Sequence, residues 1–192
     1  MKLFSTLLLS LSFLFCGQLN AQSFDMGMFD KAASLLESGQ QEKSGQVLGT
    51  ALGLLSKTAN ASSGDFASKI LGQTDMLSSI LPALASGTAN VSKVQGIISK
   101  IKMLVSAMSL NKLVSGGKLA GNSKSVLANV GTLQSGLSML GGGSTVDKIA
   151  KTLGKVTDKA PKLEKTGLFS GLAKKAVSKK LESSLGLLGG LL

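Results

Sequence analysis

The chain of 192 residues contains no His, no Trp, no Tyr and no Arg, and a single Cys at position 16. Each absence removes a class of chemistry. Zinc, copper and haem sites draw on Cys or His. A disulfide needs two thiols, so stability must come from apolar packing. His is the usual proton carrier near neutral pH, and Cys the strongest common nucleophile. Sequence-specific reading of nucleic acid leans on Arg forks and stacking aromatics. With no Arg, and with Phe as the sole aromatic residue type, no sequence-specific nucleic-acid partner is expected. Asp, Glu, Lys, Ser and Thr remain to carry any chemistry, and no cofactor or metal is expected.

What is present begins with a segment suited to export. Met1-Lys2-Leu3-Phe4 supplies one positive charge, and Leu7 to Phe15 is apolar except for Ser10 and Ser12. Leu19-Asn20-Ala21-Gln22 follows, with a small side chain where signal peptidase requires one. Residues 1–21 therefore read as a cleavable signal peptide, cut between Ala21 and Gln22. The apolar core falls short of the roughly 18–20 residues that cross a bilayer. Cys16 opens an alternative, lipid attachment to a cysteine that becomes residue one. That chemistry wants a small residue before the Cys, and Phe15 stands there. No later segment is long and apolar enough to be expected to span a membrane. The destination is the periplasm or the cell exterior, and cleavage would discard the only thiol.

Charge is unevenly spread over the remainder. Residues 22–92 carry four Lys against six acids, net −2. Residues 93–192 carry sixteen Lys against four acids, net +12. The second half should favour anionic surfaces such as acidic lipid, polysaccharide or nucleic acid.

Helical periodicity dominates the chain, and no stretch alternates with period two. Segments are expected at Phe29–Glu37, Glu42–Thr58, Ser62 to about Leu71, and Thr74–Ala85, with Thr74 as a cap and Pro82 bending or ending the last. Gly45, Gly49 and Gly53 share one face of the second segment, which permits close approach of another backbone. In Ala89–Leu110, Val91, Val94, Ile98, Ile101, Val105 and Met108 recur at alternating spacings of three and four, widened by Ile97 and Leu104. This is an amphipathic helix. Val126, Val130, Leu133, Leu137 and Leu140 form a second stripe, stopped by Gly141-Gly142-Gly143. Ser144–Val156 restarts the pattern. Asp158–Thr166, with Pro161, reads as a linker, and Leu185–Leu192 as a flexible apolar end.

Ser-x-x-Lys occurs at Ser99/Lys102, Ser109/Lys112 and Ser115/Lys118, and Lys165-Thr166-Gly167 matches a second motif of serine β-lactamases. No Ser-Asp-Asn accompanies them and no strand is expected, and about three such matches arise from Ser and Lys abundance alone. No paired carboxylates, calcium loop or phosphate loop stands out. The chain is therefore expected not to be an enzyme.

Leu168–Leu185 is the most functional-looking segment. Phe169, Leu172, Ala173, Ala176 and Leu181 oppose Lys174, Lys175, Lys179 and Lys180. These four lysines are the candidates for binding an anionic surface. Two uses are open to the helix: docking on the rest of the bundle, or lying in a membrane interface with its lysines at the headgroups.

Residues about 41–85 resemble a family of small helical domains of unknown function in secreted bacterial proteins. The resemblance rests on Gln46-Val47-Leu48-Gly49-Thr50-Ala51-Leu52-Gly53-Leu54-Leu55-Ser56-Lys57, then Ser62-Ser63-Gly64-Asp65-Phe66 and Asp75-Met76-Leu77 with Pro82 beyond. It implies export and a helical fold, and transfers no activity to any residue.

The expectation is an all-α protein, a loose bundle of about five to seven short amphipathic helices with Gly-rich connections. Residues 22–157 would form the helical domain, and residues 158–192 a linker with a basic helix. Its role would be non-enzymatic binding of an anionic surface or a partner protein. The alternative is a membrane-active cationic effector of the toxin or bacteriocin type.

Overall fold

The computed structural model describes residues 25–164 and 168–192. The segment expected to be a signal peptide, with Cys16, and the expected cleavage site Ala21–Gln22 lie outside the described residues, as does the Lys165-Thr166-Gly167 motif. Eight α-helices and one 3-10 helix, with no strand, make up the described chain. They are α1 Gly27–Glu37, α2 Gln41–Asn60, α3 Asp65–Ser78, α4 Leu81–Ala85, α5 Val91–Ser115, α6 Ser123–Met139 and α7 Ser144–Thr157, then the 3-10 helix Ala160–Glu164 and α8 Leu168–Leu191. The all-α bundle expected from periodicity is what the structure has, with one helix more than the upper count. Three of the helices, α2, α5 and α8, have 20 residues or more.

Local chemistry explains most boundaries. Gly39 ends α1 with a φ of +75°, and Gly64 precedes α3 at +108°, conformations that a side chain would strain. Asn90 caps α5, its side chain accepting from the Lys93 N–H at 3.0 Å. The boundary between α3 and α4 differs most from the expectation, and α5 runs on to Ser115, past the expected Leu110. Thr74 does not cap a helix but lies buried inside α3, where its hydroxyl donates to the Ile70 carbonyl at 2.8 Å. A threonine that satisfies itself on the preceding turn need not break a helix. The break falls at residues 79–80 instead, and Pro82 occupies the first turn of α4. Its missing N–H has no helical partner there, so Pro82 starts a helix rather than ending one.

The helices enclose two apolar cores. The first joins α1, α2, α3 and α4 to one face of α5, with Phe29, Leu48, Leu55, Ile70 and Leu84 fully buried. The second joins α6, α7, the 3-10 helix and α8 to the opposite face of α5. On α5, Val94, Ile98, Ile101 and Val105 enter the first core, while Met103, Ala107 and Leu110 enter the second. At 100° per residue these two sets lie on opposite sides of the helix axis. Lys100 and Lys102 leave along the seams between them. The amphipathic stripe expected for α5 is therefore one of two buried faces.

Glycines admit the closest approaches. A Cβ added at Gly45 would lie 3.2 Å from Leu84 Cβ, so this end of the Gly45-Gly49-Gly53 face receives α4. Nothing lies within 4 Å of a Cβ at Gly53. Gly136 of α6 receives Met103 of α5.

The stretch read as a linker is packed. Ala160 and Leu163 of the 3-10 helix are buried in the second core. The Gly121 N–H donates to the Leu163 carbonyl at 3.3 Å, and the Ser123 hydroxyl donates to the Glu164 carboxylate. The apolar end read as flexible continues α8, with Leu185 and Leu188 buried. α8 docks on the bundle through Ala173, Val177, Leu181, Leu185 and Leu188.

Candidate anionic-surface site

The amphipathic character of α7 positions its charges. Ile149, Leu153 and Val156 are fully buried, and Ala160 and Leu163 extend that stripe into the 3-10 helix. On the outer side stand Lys148, Lys151, Lys155, Lys159 and Lys162, all exposed. Their spacings of three and four keep the α7 lysines on one face. The burial that anchors α7 is thus what turns its lysines outward.

In α8 the same logic divides the four lysines expected to act together. Lys175 and Lys179 are exposed on the side opposite the buried stripe, whereas Lys174 and Lys180 are half-buried on its two flanks. Lys174 turns toward the loop between α5 and α6, its Nζ 3.8 Å from where a Cβ of Gly117 would lie. Leu172 shares the outer side with Lys175 and Lys179, and is 68% exposed. Lys159 and Lys162 border a surface hollow with Leu172, Ala173 and Ala176, so the ladder of α7 and the outer face of α8 meet there.

None of these nine ammonium groups makes an ion pair or a hydrogen bond to the protein among the described residues. Four acids lie nearby in sequence. Glu182 accepts from Ser178 at 2.8 Å and Glu164 accepts from Ser123, leaving Asp147 and Asp158 as the uncommitted carboxylates. Sequence reasoning does not single out the five lysines that run from α7 through the following turn into the 3-10 helix. Their spacing, set against Ile149, Leu153 and Val156, was the signal that could have found them.

The Ser-x-x-Lys pairs have other occupations. Lys102 forms an ion pair with Asp30, and the Ser99 hydroxyl lies 3.0 Å from the Met139 sulfur. Lys112 donates to Ser62 at 2.9 Å, and the Ser115 hydroxyl donates to the Asn111 carbonyl at 2.7 Å. In none does the ammonium hydrogen-bond the Ser of its own motif. The Lys102 ammonium is directed at Asp30 rather than at Ser99.

No group of three or more Asp or Glu among the described residues is arranged to hold a metal ion. No helix among them is long and apolar enough to cross a membrane. No protein-family model, curated protein or solved structure matches the chain.

Proposed function

We propose that this chain is an exported, non-enzymatic helical protein that binds an anionic surface or an acidic partner through the lysine face of α7, the 3-10 helix and α8. One observation carries the reading: nine ammonium groups with no ion-pair or hydrogen-bond partner among the described residues outnumber the four nearby acids on α7, α8 and the segment between them, whose apolar sides are already buried. Such a face attracts anions over about a Debye length and loses that attraction as salt rises. The charge, apolar run and small residue at 1–21 support export.

The second reading is a membrane-active cationic effector, and exposed Leu172 speaks for it. It requires α8 to leave the bundle. Val177, Leu181 and Leu188 are fully buried there, and burial of each such side chain contributes about 1.5–3 kcal/mol. Surface binding by the folded bundle carries no such cost, so it is the reading preferred.

The test compares two variants with the same change in net charge. One replaces Lys148, Lys151, Lys155, Lys159 and Lys162 by Gln, and the other Lys31, Lys43, Lys57, Lys69 and Lys93. Binding to acidic vesicles and to an anionic polysaccharide is measured against salt. The first variant should lose more than about tenfold in affinity, and the second less than about threefold, since phosphate-type attraction of about 1 kcal/mol per Lys is local. Equal losses would show that net charge alone is responsible. Leakage of dye from the same vesicles would favour the second reading.

A further inference from the structure

The outer side of α8 is neither purely cationic nor purely apolar. Leu172, Lys175 and Lys179 follow one another at spacings of three and four, and Leu187, 38% exposed, lies farther along on the flank of Lys180, about 60° round the axis from Leu172. The two leucines are about 22 Å apart along the axis at 1.5 Å per residue. Leu172 faces solvent beside Lys159, in the turn after α7, and Lys162 of the 3-10 helix. An exposed leucine among ammonium groups gains nothing from a polysaccharide or a nucleic acid, which offer anions but no apolar phase. Protein interfaces, for their part, are depleted in Lys. A leucine that enters acyl chains while neighbouring lysines reach back to headgroups is the arrangement of a helix lying in a bilayer interface.

From this, and resting on the anionic-surface reading above, we propose that the surface is a bilayer of acidic lipid. The folded protein docks on it with the axis of α8 along the membrane plane. Leu172 is the apolar anchor, Leu187 a second and shallower one, and Lys159, Lys162, Lys175 and Lys179 hold the headgroups. The buried stripe of α8 stays in the bundle throughout, which distinguishes docking from insertion of the helix.

The experiment uses the chain starting at Gln22, since every described residue of both cores lies beyond it. Vesicles of phosphatidylglycerol mixed with phosphatidylcholine are compared with carboxylated beads that have no apolar phase. Leu172→Ser should weaken vesicle binding by about tenfold, the equivalent of 1.4 kcal/mol, and leave bead binding unchanged. The chain has no Trp, so Leu172→Trp supplies a single reporter at the anchor. Its emission should shift to the blue with acidic vesicles and stay unshifted with beads.

Vesicle binding by Leu172→Ser equal to that of the parent, or a tryptophan that stays water-exposed on bound vesicles, would overturn the membrane assignment and leave the anionic-surface reading standing. Binding to beads but not to acidic vesicles would do the same. Binding to neither would overturn both. Because Leu172 is exposed, its replacement leaves the cores intact. Thermal unfolding matching the parent verifies this, and Leu187→Ser, expected to weaken vesicle binding by less than Leu172→Ser, provides an independent second site.

Discussion

Gly136 of α6 sits so close to Met103 of α5 that a methyl group on Gly136 would overlap Met103 Cγ and Sδ. Met103 is fully buried, so it has no solvent to swing into. Contact between α5 and α6 thus depends on a missing side chain on one helix and a long one on the other.

Gly136→Ala should therefore destabilise the protein by about 1–3 kcal/mol, the usual cost of overpacking. Gly131 lies on the same helix with nothing within 4 Å of an added Cβ. Gly131→Ala should instead stabilise by about 0.5–1 kcal/mol, because Ala is the better helix former and no clash opposes it. Urea unfolding of the two variants checks the sign. A second check is a cycle with Met103→Ala: the double variant should be less destabilised than the sum of the single ones. Additive losses would mean that the two residues do not press on each other.

Two buried serines should respond in opposite directions. The Ser44 hydroxyl donates to the Ala32 carbonyl at 2.8 Å and ties α2 to α1. Ser106 is equally buried, but its hydroxyl has no hydrogen-bond partner among the described residues. Ser44→Ala should cost about 1 kcal/mol, the net contribution of an intramolecular hydrogen bond. Ser106→Ala removes a desolvated hydroxyl that gains nothing in return, so it should be neutral or stabilising. Denaturant midpoints measured at constant m-value decide the matter. A loss of 1 kcal/mol at Ser106 would reveal a partner for that hydroxyl.

The start of α5 gives a third expectation. Asn90 accepts from the Lys93 N–H at 3.0 Å and is the one N-cap residue among the described helices with a side-chain cap bond. Asn90→Ala should cost about 1 kcal/mol. Asn90→Asp should match or exceed the parent, since a carboxylate also suits the positive helix end. Because α5 serves both cores, the loss should appear as a single cooperative shift in thermal unfolding rather than as separate melting of one half.

Much of this architecture was legible beforehand. Apolar spacing located α1, α5, α6 and α7 within a few residues, because a helix that buries one stripe must repeat at 3.6. The basic character of α8 and its buried residues Ala173 and Leu181 were legible on the same ground. The boundary near Thr74 was not, because a hydroxyl that caps a helix in one setting bonds to the preceding turn in another. Nor was the packing of Ala160 and Leu163. Pro161 and the surrounding charges look like a linker until α6 and α8 supply the walls that bury two small apolar residues.

Of the candidate site, the sequence marked Lys174, Lys175, Lys179 and Lys180 as one group, and the packing of α8 separated them. Lys175 and Lys179 share the exposed side with Leu172, while Lys174 and Lys180 fall to the flanks. Composition by itself determined which chemistry was excluded, and periodicity determined that the chain is helical and where most helices run. Only the tertiary structure decided that α5 is buried on two faces. Met103 and Ala107 belong to no strong stripe, and they are buried because α6 approaches through Gly136. Periodicity records which side of a helix avoids water. It holds no record of which neighbour arrives, or of what that neighbour's arrival turns outward.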